Sequence, residues 1–225
     1  WSNRGAQKPG ILYEFALELY HLNVREPDGY SPEAVQAIAE EFAAAQAVDG
    51  AQEARKPHVI AVMVEAWSDL RVLGDIRTDV EVTPWLDEFM PTTIHGDAVS
   101  TVYGGNTATS EWEFLTGNSM AFMPAGSMVY RQFVRDDIRT IVDVMENNGY
   151  ASLAMHPYYK NGWDRSRIYD LIGFDKMLFL EDAEWGEQVR EYVSDDAFVD
   201  MVIREFEARD PQKPLFVFGI TMQTH

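Results

Sequence analysis

Cysteine is absent from this 225-residue chain, which excludes disulfides, thiolate metal sites and a cysteine nucleophile without fixing the redox compartment. Basic residues are scarce: 18 Lys and Arg stand against 37 Asp and Glu, a formal net charge of −19. That excess repels polyanions and argues against nucleic-acid binding. It also opposes docking on an anionic membrane surface, so an anionic lipid substrate would need a local positive site. No apolar run approaches the roughly 20 residues of a membrane span, and no signal peptide is recognisable. What is present, 46% hydrophobic and 24% charged residues, suffices for one sizeable core with a small appendage. The abrupt ends at Trp1 and His225 lead us to expect a piece of a longer protein.

Two parts are legible along the chain. Residues 1–55 read as a helical N-terminal arm. Ile11 to Leu22 place apolar groups at helical spacing, and Ser31-Pro32-Glu33 reads as an N-cap followed by proline at the first position of a helix reaching Ala47. Residues 56–225 read as the main domain. His58–Val64 is a continuous apolar, β-branched run, the mark of a strand buried on both faces, and similar runs recur at Ala151–Met155 and Pro214–Ile220. Helical patterns lie between them, from Asp136 to Asn148 before Gly149 and from Asp195 to Ala208. Buried strands alternating with helices predict an α/β fold with a mainly parallel sheet flanked by helices. Ligands bind such sheets beyond the C-terminal ends of the strands. The residues just after the three runs are Glu65, His156 and Thr221–His225. Polar groups therefore collect at one sheet edge.

Several of these residues carry chemistry. Glu65 fits either a divalent-cation ligand or a solvated residue at a strand end. In Tyr103-Gly104-Gly105-Asn106-Thr107, two glycines precede a hydroxyl residue and a run that can turn helical. That order presents Thr107 at a helix N-terminus, where free N–H groups and the helix dipole favour an anion such as phosphate. The same order also fits an ordinary turn. A threonine hydroxyl is a weak nucleophile near neutrality, and metal coordination would favour its alkoxide. Thr109 and Ser110 are alternative hydroxyls, placed deeper in the helix. The segment His156–Arg165 joins an arginine fork, suited to phosphate, to an indole that can line a glycerol-sized pocket. It reads equally as a surface loop anchored by Trp163. His225 is either a loose end or a proton-transfer group.

These motifs together, in this order, resemble the lipoteichoic acid synthase-like phosphoglycerol transferases of the alkaline phosphatase/sulfatase superfamily. The match rests on Glu65, on Thr107 with Ser110-Glu111-Trp112 behind it, on His156, on Trp163 and Arg165, and on Thr221-Met222-Gln223-Thr224-His225. The resemblance implies a metal-dependent transferase that moves glycerophosphate from a phosphatidylglycerol-type lipid to an acceptor hydroxyl, through a glycerophospho-threonine on Thr107. It implies a divalent ion, commonly manganese, on Glu65 and Thr107. Trp163, Arg165, His156 and His225 would then bind substrate, with Tyr158 standing where some members carry a substrate-contacting aspartate. It implies an acceptor that is a polyglycerophosphate chain or a glycan. It also implies a site outside a bacterial cell membrane, an anchor upstream of residue 1, and further metal ligands downstream of His225, the C-terminal part of the fold being missing from this chain. Phosphoethanolamine transfer, sulfate-ester hydrolysis and non-catalytic binding of a polyanion or glycan are the rival expectations. A formylglycine-type sulfatase fits poorly, because Thr107-Ala108-Thr109-Ser110-Glu111 lacks the cysteine-or-serine, proline and arginine pattern of that motif.

Overall fold

A computed structural model describes residues 10–21, 24, 26–46, 55–98, 101–102, 106–124 and 126–225. The chain divides into two compact units, Trp1–Pro57 with Met120–Ser127, and His58–Ser119 with Met128–His225. In the first unit, helices α1 (Ile11–His21) and α2 (Pro32–Gln46) realise the two helical patterns. Ser31 caps α2 as expected, its Oγ accepting the Ala34 N–H at 3.0 Å, with Pro32 at the first helical position. Ala47 lies outside the described residues.

The second unit is built on a four-stranded sheet in the order β1-β6-β2-β3, with every neighbouring pair parallel. Its strands are β1 (Val59–Met63), β2 (Ala151–His156), β3 (Lys176–Phe179) and β6 (Leu215–Ile220). A short hairpin, β4 (Gln188–Val189) with β5 (Tyr192–Val193), stands outside the sheet. The helices of this unit are α3 (Pro84–Phe89), α4 (Thr107–Thr116), α5 (Val129–Gln132), α6 (Ile141–Asn147), α7 (Arg165–Ile172) and α8 (Asp195–Ala208). No helix among the described residues is long and apolar enough to cross a membrane.

The central strand β6 is buried along its whole length, and β2 nearly so, as two covered faces require. Leu153, Met155, Leu215 and Val217 pack with Phe198, Met201 and Val202 of α8 and with Trp185. The packing there is close: a Cβ on Gly219 would lie 2.5 Å from the Phe198 ring, so only glycine fits. β1 differs from expectation. Its residues alternate between half-buried and exposed, with Ile60 48% and Val62 44% accessible. It is an edge strand paired only with β6, so an apolar run that reads as buried on both faces has one face uncovered among the described residues.

α8 matches its expected span and is capped by Ser194, whose Oγ accepts the Ala197 N–H. α6 is shorter than expected, starting at Ile141 rather than Asp136. Thr140 and Asp143 form a reciprocal capping box there, which fixes the start of the helix and leaves Asp136–Arg139 outside it. At its other end Gly149 turns the chain at φ +81°, a left-handed conformation that favours glycine.

Candidate active site

Because all four sheet strands run parallel, the ends of β1, β2 and β6 open on one edge. The pairings Met63 with Ile220 and Met155 with Gly219 bring their last residues level. Glu65 lies just beyond β1 and is 6% accessible. Thr107 is the first residue of α4, behind Asn106, which takes a left-handed conformation at φ 64°. Gly104 and Gly105 lie outside the described residues. The Thr107 hydroxyl donates to Glu65 Oε1 at 2.5 Å. His225 Nε2 lies 2.9 Å from the same oxygen. Thr224 Oγ1 donates to the Glu65 carbonyl, and Thr221 N–H to the Met63 carbonyl at 3.1 Å, so the segment after β6 is tied to the end of β1. Glu65, Thr107 and His225, far apart in sequence, thus meet at one carboxylate oxygen. The alternative hydroxyl, Thr109, is buried at 4% accessibility.

The other carboxylate oxygen, Glu65 Oε2, is buried and has no hydrogen-bond partner among the described residues. A lone buried carboxylate oxygen is costly unless something positive meets it. Beside a hydroxyl at hydrogen-bond distance, it fits one face of a divalent-cation site, with Glu65 and Thr107 as hard oxygen donors. Among the described residues, no group of three or more His, Cys, Asp or Glu side chains gathers for a metal, so these two donors form only part of a coordination shell.

One turn further along α4, Glu111 is completely buried and belongs to a second polar cluster. Arg165, at the start of α7, donates from Nε to both Glu111 oxygens at 3.0 and 3.1 Å, and from Nη2 to Oε1. Its Nη1 lies 2.9 Å from His156 Nε2. The other ring nitrogen of His156 faces the Ile220 carbonyl at 3.3 Å. A carbonyl only accepts, so Nδ1 carries the proton and Nε2 accepts from Arg165. Burial and then the Arg165 charge push the His156 pKa down to about 3, so the imidazole is neutral. Burial opposes the Arg165 charge, but the Glu111 carboxylate outweighs it and raises the guanidinium pKa. Tyr169 donates to Glu111 Oε2 at 2.8 Å, and burial followed by the Glu111 charge drives its phenol well above the usual range.

Sequence reasoning placed His156 and Arg165 on the substrate. The structure places His156 against Arg165, fully buried, and Arg165 is itself 1% accessible. Three of the five guanidinium N–H groups meet Glu111 or His156, and two hydrogens, one on each terminal nitrogen, are left over. The Glu65 charge also acts on Arg165, and His225 on His156, so the two clusters are electrostatic neighbours. Trp163, in the turn before Arg165, has the Arg131 guanidinium 5.5 Å from its ring centre. Glu111 entered the sequence reading only as part of a motif, and Tyr169 did not enter it at all. The available signal was the four-residue spacing from Thr107 to Glu111, which puts both on one helix face.

Backbone strain gathers at these positions. Of the described non-glycine residues with positive φ, Ala66 comes directly after Glu65, Asn106 precedes Thr107, and Trp163 and Asp164 precede Arg165; Arg190 is the fifth. Such conformations are sparsely populated away from functional positions.

Comparison with known proteins identifies the family and the fold. The sulfatase family model matches residues 57–225. A protein of Rhizobium meliloti (strain 1021), named for cyclic beta-1,2-glucan modification, is 32% identical over 216 residues, 96% of this chain and 32% of that protein. Lipoteichoic acid synthase 1 of Bacillus subtilis (strain 168) is 25% identical over 182 residues, 76% of this chain and 27% of that protein. Among solved structures, the Streptococcus pyogenes phosphoglycerol transferase GacH in complex with sn-glycerol-1-phosphate superposes with a TM-score of 0.78 at 25% identity, covering 90% of this chain and 54% of that one. The Listeria monocytogenes lipoteichoic acid synthase LtaP shares the fold, with a TM-score of 0.62 at 19% identity over 76% of this chain and 42% of that one. The chain spans about a third of the length of the curated relatives it matches.

Proposed function

The chain belongs to the sulfatase family, and we propose that it is the catalytic part of a metal-dependent phosphoglycerol transferase. The observation that carries this reading is the Thr107 hydroxyl held 2.5 Å from Glu65 Oε1, with His225 Nε2 at 2.9 Å from the same atom and Oε2 buried without a partner. Similarity to GacH and to lipoteichoic acid synthase 1 supports the choice of phosphoglycerol as the transferred group.

Glu65 and Thr107 would hold a divalent ion, manganese being the ion we expect. When bound, it supplies a lowered pKa for the threonine hydroxyl and partial neutralisation of the phosphate. Thr107 Oγ, as its alkoxide, attacks the phosphorus of a phosphatidylglycerol-type donor. The bond from phosphorus to the diacylglycerol oxygen breaks, and that oxygen takes a proton from His225. In the second half of the cycle neutral His225 takes the proton of an acceptor hydroxyl, which attacks the glycerophospho-threonine and releases Thr107. The two uncommitted Arg165 hydrogens would meet phosphate oxygens, and Trp163 would border the glycerol. A donor with two acyl chains is confined to a bilayer. The reading therefore places the domain at the extracytoplasmic face of a bacterial membrane, held there by other parts of the protein.

Intact-mass spectrometry on the protein incubated with manganese and a phosphatidylglycerol donor tests this. A glycerophosphate adduct mapped to Thr107, lost in Thr107→Ala, is the expected result. A donor left uncleaved, or an adduct on another residue, overturns it. A phosphoethanolamine adduct from phosphatidylethanolamine in its place would move the assignment to the rival head group.

A further inference from the structure

Three tyrosines follow one another from His225, the middle one, Tyr158, also lying 6.0 Å from the His156 ring. The His225 and Tyr192 rings are 6.1 Å apart between centroids, Tyr192 and Tyr158 6.3 Å, and Tyr158 and Tyr159 5.2 Å. A continuous path therefore runs from Thr107 through Glu65 and His225 along an aromatic row. Tyr158 and Tyr192 are half-buried, and Tyr159 is exposed. Neither the transfer chemistry nor the donor contacts proposed for this site use them.

The row is held in place. Tyr192 sits on β5, and the two-residue turn of its hairpin puts Arg190 in a left-handed conformation. From there Arg190 Nη2 donates to the Gln223 carbonyl at 2.9 Å, while the Gln223 side-chain oxygen accepts the Asp195 N–H at 2.7 Å. Gln223 thus clamps the hairpin to the segment that ends in His225. Gly162 lies near the Tyr158 ring: a Cβ added there would be 3.5 Å from the ring and 3.7 Å from Arg165 Nη1, an ordinary packing distance.

We propose that Tyr192, Tyr158 and Tyr159 form the acceptor subsite of this enzyme, and that the acceptor they take is an uncharged sugar chain. This rests on the phosphoglycerol transferase reading. Aromatic faces attract the weakly positive C–H face of a sugar ring, and phenol hydroxyls can hydrogen-bond its hydroxyls. The rings are tilted to one another by 48° and 67°, so they offer a stepped ridge, which a flexible chain tracks better than a single flat ring. Charge excludes the competing acceptor. From Glu181 to Asp196, the stretch that carries the hairpin holds seven carboxylates against one arginine. A polyglycerophosphate chain passing this stretch would meet a net negative charge, whereas a neutral glycan would not.

The test offers the manganese-loaded protein a phosphatidylglycerol donor with either a neutral glucan oligosaccharide or a polyglycerophosphate of matched length. The readout is the ratio of transfer to acceptor over transfer to water. The glucan is expected to be the better acceptor, and Tyr192→Ala to lower its transfer ratio by about tenfold. Tyr192→Trp, which keeps an aromatic face, is expected to restore it to within about threefold of the natural protein. A merely structural role for Tyr192 would not be rescued by the bulkier ring and would not act on the ratio. An unchanged ratio in Tyr192→Ala, or preference for polyglycerophosphate, overturns the proposal. Titration of the donor-free protein with the glucan, monitored by tyrosine ring NMR resonances, reads binding without turnover. Shifts at Tyr192 and Tyr158 support the subsite and their absence overturns it, even where no adduct forms on Thr107 and the transferase reading itself fails.

Discussion

Helix α4 takes part in two carboxylate clusters, through Thr107 in the one around Glu65 and, one turn on, through its own Glu111 in the other, and they are built on opposite terms. Around Glu111 nearly every polar atom is matched: the arginine fork, the imidazole and a phenol meet below the surface, and the charges are paired. Around Glu65 one oxygen accepts from two side chains and the other is buried with none. The first arrangement fixes geometry. The second stores an unmet need for positive charge beside the proposed nucleophile, as expected where stability is given up for chemistry. Arg165 belongs to the first cluster but feels the charge of the second. The rigid cluster thereby holds the group that would meet the phosphate.

The hardest break to this contrast is Thr107→Ala. Turnover of a phosphatidylglycerol analogue should fall by about a thousandfold or more, because the step itself loses its nucleophile. The urea midpoint should stay near that of the natural protein, since Thr107 is only half-buried. Near-normal turnover would remove Thr107 from the chemistry.

Removing the carboxylates themselves should give opposite signs. Glu111→Ala strands the Arg165 guanidinium, whose side chain is 2% accessible, and should cost about 3–5 kcal/mol of unfolding free energy. Glu65→Gln, measured without metal, should hold or raise stability because it neutralises a buried oxygen that lacks a partner. Manganese should stabilise the natural protein and not the Glu65→Gln variant. Equal losses of stability in the two variants would dissolve the distinction between the clusters.

His156 gives the contrast a pH signature. Its pKa falls from the usual 6.5 to about 3 in the folded state, so between these values the unfolded chain binds a proton that the folded protein refuses. Stability from this group is present above pH 6.5 and is lost as pH falls towards 3. At about 1.4 kcal/mol per unit, the loss amounts to about 4 kcal/mol across the window at most. Urea denaturation at steps of pH should show this slope in the natural protein and a shallower one in His156→Gln. Identical slopes would mean that the fold does not hold His156 neutral and that Arg165 does not donate to its ring.

The strand ends and the approach of Glu65 and His225 were legible in the sequence because a parallel sheet turns a one-dimensional pattern into a shared edge; Thr107 was singled out separately, by the glycines before it and by the family resemblance. The apolar runs locate the strands, and the polar residues at their C-terminal ends land together. The inner cluster was not legible in this way. An arginine after a loop tryptophan reads the same whether its fork meets substrate or a buried glutamate, and Glu111 carries no local mark of its burial. The exposed face of β1 was missed for a related reason: periodicity records what a strand is suited to, not which neighbours cover it. Ile60 and Val62 have the composition of a central strand and the position of an edge.

The finest test lies within the rigid cluster. Tyr169 donates to Glu111 Oε2 at 2.8 Å, so Tyr169→Phe removes one buried hydrogen bond while keeping the ring packed near Phe174 and Phe179. A loss of about 1–2 kcal/mol is expected, because a charged acceptor is left one donor short. Tyr130 complicates this in a useful way. Its buried hydroxyl lies close enough to Glu111 to feel the carboxylate yet makes no hydrogen bond of good geometry among the described residues. Were it to swing onto the vacated oxygen, Tyr169→Phe would cost well under 1 kcal/mol, and Tyr130→Phe together with Tyr169→Phe would cost more than the two separately. A double-mutant cycle by urea denaturation separates these outcomes. Additivity with the full single loss means that each bond around Glu111 is fixed by its own geometry, whereas strong coupling means that the carboxylate can exchange donors. Only the first outcome is compatible with Glu111 as a rigid mount for Arg165, so a change of about 1 kcal/mol in one phenol decides how that buried arginine is held.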